Sequence, residues 1–369
     1  MRLSKTIACV TLITQLVFGQ NNTTSIRNLD PVSEEYTFPE IQTAPKTKIG
    51  EKINTFLQLR YLQHLPGIFK KNPFEKVTYD SPENQGGSYL FYGWTQEDTP
   101  PNVLSLTMST EFSGAYLEGY ESHENFDLRT GNYLLVTDII RPEKHILLAQ
   151  QVNTMVKKEI TAFLSETKKN LTEIDSMSQR ELFDRYQAQI ELYENCLSDY
   201  TEYQLGDFDY YFTKNQLHLL RGRCSSHVNR AIDDLYQFDL PFSYTDLLPL
   251  LSDYGKNVLY DTPIKNYNSA SPIGKMYKGK IGNNAVTLVL PNINYDSSLT
   301  ITYWYDKYKT PIECHGTFKD NLFYLMEQSP DDFSGLIGII EAEWENGTIK
   351  GVWINHKTKK EYPLLLILY

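Results

Sequence analysis

The chain is poor in cysteine, in positive charge and in long apolar runs. Four cysteines in 369 residues exclude a fold held by a disulfide net, so a hydrophobic core must hold it. Lys and Arg number 35 against 46 Asp and Glu, a net charge of −11, which argues against a nucleic-acid binder. No run of about 18 apolar residues, the length of a membrane span, occurs after the N-terminal segment. No Gly-x-Ser-x-Gly, His-Glu-x-x-His or phosphate-binding loop occurs either, so no residue set names a reaction. What is abundant is tyrosine, 27 residues, a composition suited to strands and half-buried surfaces where one end of the ring stays wet. A hydrophobic content of 41% with 22% charged residues excludes wholesale disorder.

The N-terminus reads as an address. Arg2 and Lys5 precede an uncharged, largely apolar stretch from Thr6 to Phe18, and Val17-Phe18-Gly19 supplies short residues before Gln20. This is the pattern of a secretory signal peptide over 1–19, cleaved near Gly19. The mature chain is then expected to be soluble and exported to the periplasm, the cell surface or the medium. Cys9 sits too early in the apolar stretch for a lipoprotein signal, so lipid anchoring is the lesser alternative. Three cysteines remain, Cys196, Cys224 and Cys314. An odd count leaves one unpaired, and export permits a Cys196–Cys224 bridge, with buried free thiols as the alternative. Sequons at Asn21, Asn22, Asn170 and Asn346 matter only in a glycosylating host.

Patterning divides the rest. Residues 20–47 are polar and aperiodic, an arm. Ile49, Ile53, Phe56, Leu57 and Tyr61 recur at helical spacing until Pro66-Gly67, predicting a helix over 49–65. Strands are expected at 89–94 and 103–116. A strand at 125–128, a Gly131 turn and a further strand at 133–136 follow. Two helices come next. The first carries the stripe Leu148, Val152, Met155, Val156, Ile160, Phe163 and Leu164. The second opens on the capping box Ser178-Gln179-Arg180-Glu181 and buries Leu182, Phe183, Tyr186, Ile190 and Tyr193. A hairpin at 208–220 precedes a short helix capped by Ser243. Residues 48–260 thus read as an α+β domain, and 261–272 as a linker rich in Asn, Ser and Pro. From 273 to 369 no helical stripe remains. Eight strand-like runs, with Asn346-Gly347 as the strongest turn, predict an all-β domain: an antiparallel eight-stranded meander that closes as a small barrel. A two-sheet sandwich is the rival. The charge is unevenly shared. Residues 273–369 hold 10 basic and 11 acidic residues, so the acidity belongs to the part before the barrel.

Several motifs of the first domain carry a resemblance. They are Gly114-Ala115-Tyr116, Asn125-Phe126-Asp127-Leu128-x-Thr130-Gly131, Thr137-Asp138-Ile139-Ile140, Phe212-Thr213-x-x-Gln216-Leu217 and Leu240-Pro241-Phe242-x-Tyr244-x-x-Leu247. Over roughly 48–260 the chain resembles an exported family of unknown function. That family is found in the outer segment of lysozyme-sensing anti-sigma factors and in the N-terminal part of peptidoglycan deacetylases. The C-terminal part resembles the small calycin-like barrels appended to secreted bacterial proteins. The resemblance implies an envelope role, with protein or cell-wall binding among the family's uses. It carries no catalytic set onto this chain, which has neither a sigma-binding part nor a deacetylase domain.

Candidate residues are few. Cys224-x-x-His227 and Cys314-His315 contain metal-ligand types but lack a second matched pair, so no metal site and no cofactor are expected. Glu118, Glu121, His123, Glu124 and Asp127 share a stretch read as a loop before the Gly131 turn. Carboxylates beside a histidine can serve as acid and base, which makes His123, Asp127 and Glu118 the candidate catalytic residues; the same composition also suits a solvated loop. Tyr116 and Glu121 on this stretch, with Trp304 and Trp353 in the barrel, are the candidate ligand contacts. Barrel packing is the plainer role for both tryptophans. The expected function is a non-enzymatic envelope binding protein that recognises a cationic, lysozyme-like protein or a cell-wall glycan. An envelope hydrolase or deacetylase-like enzyme with a site near Glu118–Asp127, and a structural surface component, are the alternatives.

Overall fold

The computed structural model describes residues 24–44, 47–78, 88–114, 116–260, 271–293, 298–329 and 335–369. The expected signal segment with Cys9, the sequons at Asn21 and Asn22, and nearly all of the 261–272 linker lie outside the described residues. The chain forms two compact units. One comprises residues up to 94 with 109–120 and 129–131; the other comprises 95–108, 121–128 and 132–369.

In the first unit, β1 (Ser25–Asn28) pairs antiparallel with β2 (Pro39–Gln42), and α1 (Ile49–Leu62) follows. The apolar face predicted for α1 is buried, with Ile53, Phe56 and Leu57 at 2% exposure or less. Asn54 locks the helix to β2, because its side chain accepts from Ile41 N and donates to Ile41 O. The helix ends three residues before the expected stop, at Gln63, which adopts a left-handed conformation. An aromatic cluster of Tyr36, Phe38, Phe74 and Tyr92 fills the centre. Gly131 has φ +72°, and a Cβ there would meet Ile49 O at 2.9 Å, so this turn requires glycine.

Three strands, β3 (Ser88–Gln96), β4 (Val103–Ser113) and β5 (Leu117–Asp127), form a sheet in that order. The stretch expected to be a loop is therefore strand β5, where pairing with β4 satisfies the backbone of a charged sequence. The strand expected at 133–136 reduces to a single bridge between Phe126 and Tyr133. The chain then turns into α2 (Val136–Ile139), with Val136 and Ile139 buried.

In the second unit, α3 (His145–Glu173) buries Leu148, Val152, Val156, Ile160 and Leu164 of the predicted stripe, leaves Met155 39% exposed and Phe163 partly buried, and continues nine residues past Leu164. On α4 (Arg180–Ser198) two expectations fail. Ser178 donates its hydroxyl to Asp175 rather than capping the helix. Of the expected face Tyr193 is buried, Phe183, Tyr186 and Ile190 are half-buried and Leu182 is 37% exposed, while Gln189 and Leu192, not expected there, are buried. Polar anchors set the rotation of the helix. Tyr193 Oη donates to Asp233 at 2.6 Å, and the Gln189 amide donates to Ile232 O and Asp234. Cys196 on α4 is joined to Cys224.

The predicted hairpin is β6 (Asp209–Phe212) with β7 (Gln216–Arg221), extended by β8 (Phe238–Ser243) into a sheet of order β6-β7-β8. Strand β8 was not foreseen. Its Pro241 is tolerated because β8 lies at an edge of the sheet. Ser243 caps α5 (Tyr244–Leu247) by accepting from Asp246 N, as the sequence predicts, and α6 (Asp253–Leu259) follows. The α3 stripe packs with Phe212, Leu217, Leu219, Phe238, Leu240, Tyr254 and Val258 in one core.

The C-terminal strands are β9 (Lys275–Ile281), β10 (Asn284–Ile293), β11 (Ser298–Tyr305), β12 (Ile312–Lys319), β13 (Leu322–Gln328), β14 (Leu336–Glu345), β15 (Thr348–Asn355) and β16 (Glu361–Leu368). Each pairs antiparallel with the next, and β16 closes on β9. The expected barrel, not the sandwich, is formed. Asn346 and Gly347 both have positive φ, as a type I′ hairpin demands. Alternation points Tyr277, Leu288, Ile301, Leu325, Ile340, Trp353 and Leu366 into one interior core. Several other alternate positions on β9, β12 and β14, including Lys280, Glu313, His315, Lys319, Glu341 and Glu343, are exposed. Among the described residues, no helix is long and apolar enough to cross a membrane.

Candidate functional site

The most organised polar surface of the second unit is built where β5 and β4 meet β6. Ser105 on β4 and Asn125 on β5 are almost fully buried. Ser105 Oγ donates to Asn125 Oδ1 at 2.7 Å, Asn125 Nδ2 donates to Tyr210 O, and Phe212 N donates to Ser105 Oγ. These side chains connect elements that no backbone ladder joins, and they bring His123 beside the β6–β7 hairpin.

Three rings stack there. His123 lies 4.9 Å from Tyr211 with an interplanar angle of 21°, and Tyr211 lies 4.3 Å from His218 at 16°. Tyr211 and His218 are direct cross-strand partners, the geometry in which side chains meet most closely. Each imidazole is held by a carboxylate. His123 Nδ1 is 2.7 Å from Asp209 Oδ2, and His218 Nδ1 is 2.8 Å from Asp239 Oδ1. Tyr211 Oη donates to the other Asp239 oxygen at 2.9 Å. Burial, then the hydrogen bond to Asp239 and the charges of Asp239 and Glu97, push the Tyr211 phenol well above its ordinary value, so it stays neutral and acts as a donor. The imidazoles are largely covered, at 7% and 13%, whereas Asp209 and Asp239 remain 41% and 45% exposed. Glu97 and Asp98, in the segment just after β3, and Glu121 on β5 add further exposed or half-buried carboxylates.

This arrangement can do two things. It presents fixed carboxylates beside flat rings, a surface suited to cationic side chains. It also orients two imidazoles through Nδ1, leaving Nε2 without a protein hydrogen bond among the described residues, which is the geometry of a general base.

The structure separates the residues singled out in the sequence. Tyr116 is 66% exposed and Glu121 is exposed. Glu118 accepts from Tyr120 Oη at 3.2 Å. Asp127 is fully buried and accepts from Tyr254 Oη at 2.9 Å. Four strand positions, about 13 Å, separate it from His123, whose partner is Asp209 instead. Glu124 is likewise buried and accepts from Tyr133 Oη. In the barrel, Trp304 and Trp353 do not converge: Trp353 points inward, and Trp304 neighbours inward-facing Tyr303 and Tyr305 on the opposite face of β11. Among the described residues no group of three or more metal-ligating side chains occurs.

Sequence reasoning missed Asp209, Tyr211, His218 and Asp239. The alternation of Asp209 with Tyr211 in the hairpin was a usable signal. Their meeting with His123 required knowing that β5 and β6 are neighbours.

Neither a family model nor a curated protein sequence matches the chain. Among solved structures it is similar to a member of the DUF3298 family from Bacteroides fragilis, 12% identical, with 60% of this chain and 85% of that chain covered and a TM-score of 0.32.

Proposed function

We propose that this chain is an exported, non-enzymatic binding protein of the cell envelope, and that its ligand is a cationic protein engaging the carboxylate-flanked ring stack of β5, β6 and β7. The observation that carries this reading is the pairing of Asp209 and Asp239, nearly half exposed yet fixed by His123, His218 and Tyr211. Carboxylates held in place lose little freedom on binding a cation. The acidity of the chain before the barrel would speed encounter with such a partner. The test is binding of immobilised protein to lysozyme and to purified peptidoglycan. Lysozyme should be retained, with affinity falling between about 0.05 and 0.3 M salt and falling further in the Asp209→Asn, Asp239→Asn double variant. If neither material is retained, the ligand class is wrong. If peptidoglycan alone is retained, a glycan is the ligand.

The two oriented imidazoles support a second reading, an envelope hydrolase. It requires that His123→Ala abolish a hydrolytic activity on cell-wall material while the chain keeps its fold.

A further inference from the structure

One end of the barrel contains a carboxylate that the binding face does not use. Glu327 on β13 points inward and is only 6% exposed. Its Oε2 accepts from Tyr303 Oη and from Trp353 Nε1, each at 2.8 Å. No hydrogen bond from the described residues reaches Oε1, and no lysine, arginine or histidine among them pairs with Glu327. Four rings surround the group at the same rim. Tyr303 contacts Tyr305, with centroids 5.9 Å apart, and Trp353 contacts Tyr362 at 5.7 Å. Across the strands Glu327 faces Cys314 and Gly338, and Trp353 faces Tyr362. Gly338 makes room for the indole, since a Cβ there would stand 2.5 Å from Trp353 Cζ2. Tyr305 and Tyr362 are half-buried, so the rings run from the interior to the rim.

A carboxylate in an apolar barrel is costly unless a positive charge compensates it. Here two neutral donors orient one oxygen, and the half-buried rings of Tyr305 and Tyr362 contact those two donors at the rim. Aromatic faces attract cations, and a ring set around one negative charge is the arrangement that recognises alkylammonium groups. The rim already shows this attraction: Lys360 Nζ lies 4.9 Å from the centre of the Tyr362 ring. We propose that this end of the barrel is a binding site for a small organic cation, a quaternary or protonated amine, with Glu327 as counter-ion and Tyr303, Tyr305, Trp353 and Tyr362 as its walls. The site is independent of the binding face on β5–β7.

The test is calorimetric titration of the whole chain with tetramethylammonium chloride, against sodium chloride at equal ionic strength. Saturable binding with a Kd of about 1 mM or tighter is expected for the organic cation, and none for sodium. Glu327→Gln, which keeps shape and removes charge, should weaken binding at least tenfold. Tyr305→Leu, at a half-exposed rim position, should weaken it severalfold and decides the matter if Glu327→Gln loses its near-UV circular dichroism. Absence of saturable binding up to about 50 mM, or equal affinity in wild type and the folded variants, overturns the proposal.

Discussion

Lys275 Nζ lies 3.8 Å from the Asp138 carboxylate, with the two side chains 3% and 7% exposed. The lysine also donates to Ser271 O at 2.6 Å. Burial raises the Asp138 carboxyl above its ordinary range and lowers the Lys275 ammonium, each against the attraction of the other. The pair ties the start of β9 to α2. Asp138→Ala leaves a buried charge uncompensated and should cost about 3–5 kcal/mol. The double variant Asp138→Leu, Lys275→Met should recover most of that loss. Urea denaturation of the three chains measures both, and a double variant as unstable as the single one would refute the account.

Lys52 on α1 is 5% exposed and donates to Thr130 O at 3.1 Å. Burial, with repulsion from Lys48, lowers its ammonium from 10.5 to about 8. A depressed folded value means that the stabilising contribution is present above the unfolded value and lost as pH falls through about 8. Wild-type stability should therefore gain on the order of 2 kcal/mol between pH 8 and 9.5 relative to Lys52→Met. Urea midpoints at both pH values give the comparison, and parallel behaviour of the two chains contradicts it.

Gly316 and Gly351 stand where a Cβ would meet the neighbouring strand's carbonyl oxygen, Tyr324 O at 1.9 Å and Glu341 O at 2.0 Å. Alanine at either position forces strand backbones apart and should destabilise the barrel by about 2 kcal/mol or more. At Gly222 a Cβ meets nothing within 4 Å, so Gly222→Ala should be nearly neutral. Thermal melting of the three variants separates these outcomes.

Cys314 is fully buried, and burial together with Glu327 and Glu313 pushes its thiol well above the ordinary range. A thiolate is needed for reaction, so a chain lacking residues 1–19, and with them Cys9, should show no thiol reactive to a disulfide reagent when folded and one when denatured. Reducing the Cys196–Cys224 link, which spans 28 residues, should remove roughly 3–4 kcal/mol of stability. A folded chain that titrates a thiol at once would disprove the assignment.

The barrel was legible because its rule is local. Period-two alternation, separated by Asn, Gly and Asp turns, marks the eight strands without knowledge of the rest. Glu327 follows Phe323 and Leu325 on the inward face of β13, but nothing in the sequence singled it out, and only closure of the sheet brings Tyr303 and Trp353 to it. Helix α4 was legible in extent and not in rotation, since Tyr193 and Gln189 are fixed by Asp233 and Asp234, some forty residues away. Strand β5 was misjudged because charge density resembles a loop when the partner strand is unknown.

By itself the sequence determined an α+β part followed by an eight-stranded antiparallel barrel, the stripe of α3, the cap at Ser243 and the Asn346-Gly347 turn. Each follows from propensity and spacing within a few residues. The meeting of His123 with Asp209, the stacking of Tyr211 on His218, and the enclosure of Glu327 by four rings were decided by the tertiary structure alone. They join side chains distant in sequence, and only packing and strand register bring such groups within hydrogen-bonding or stacking distance.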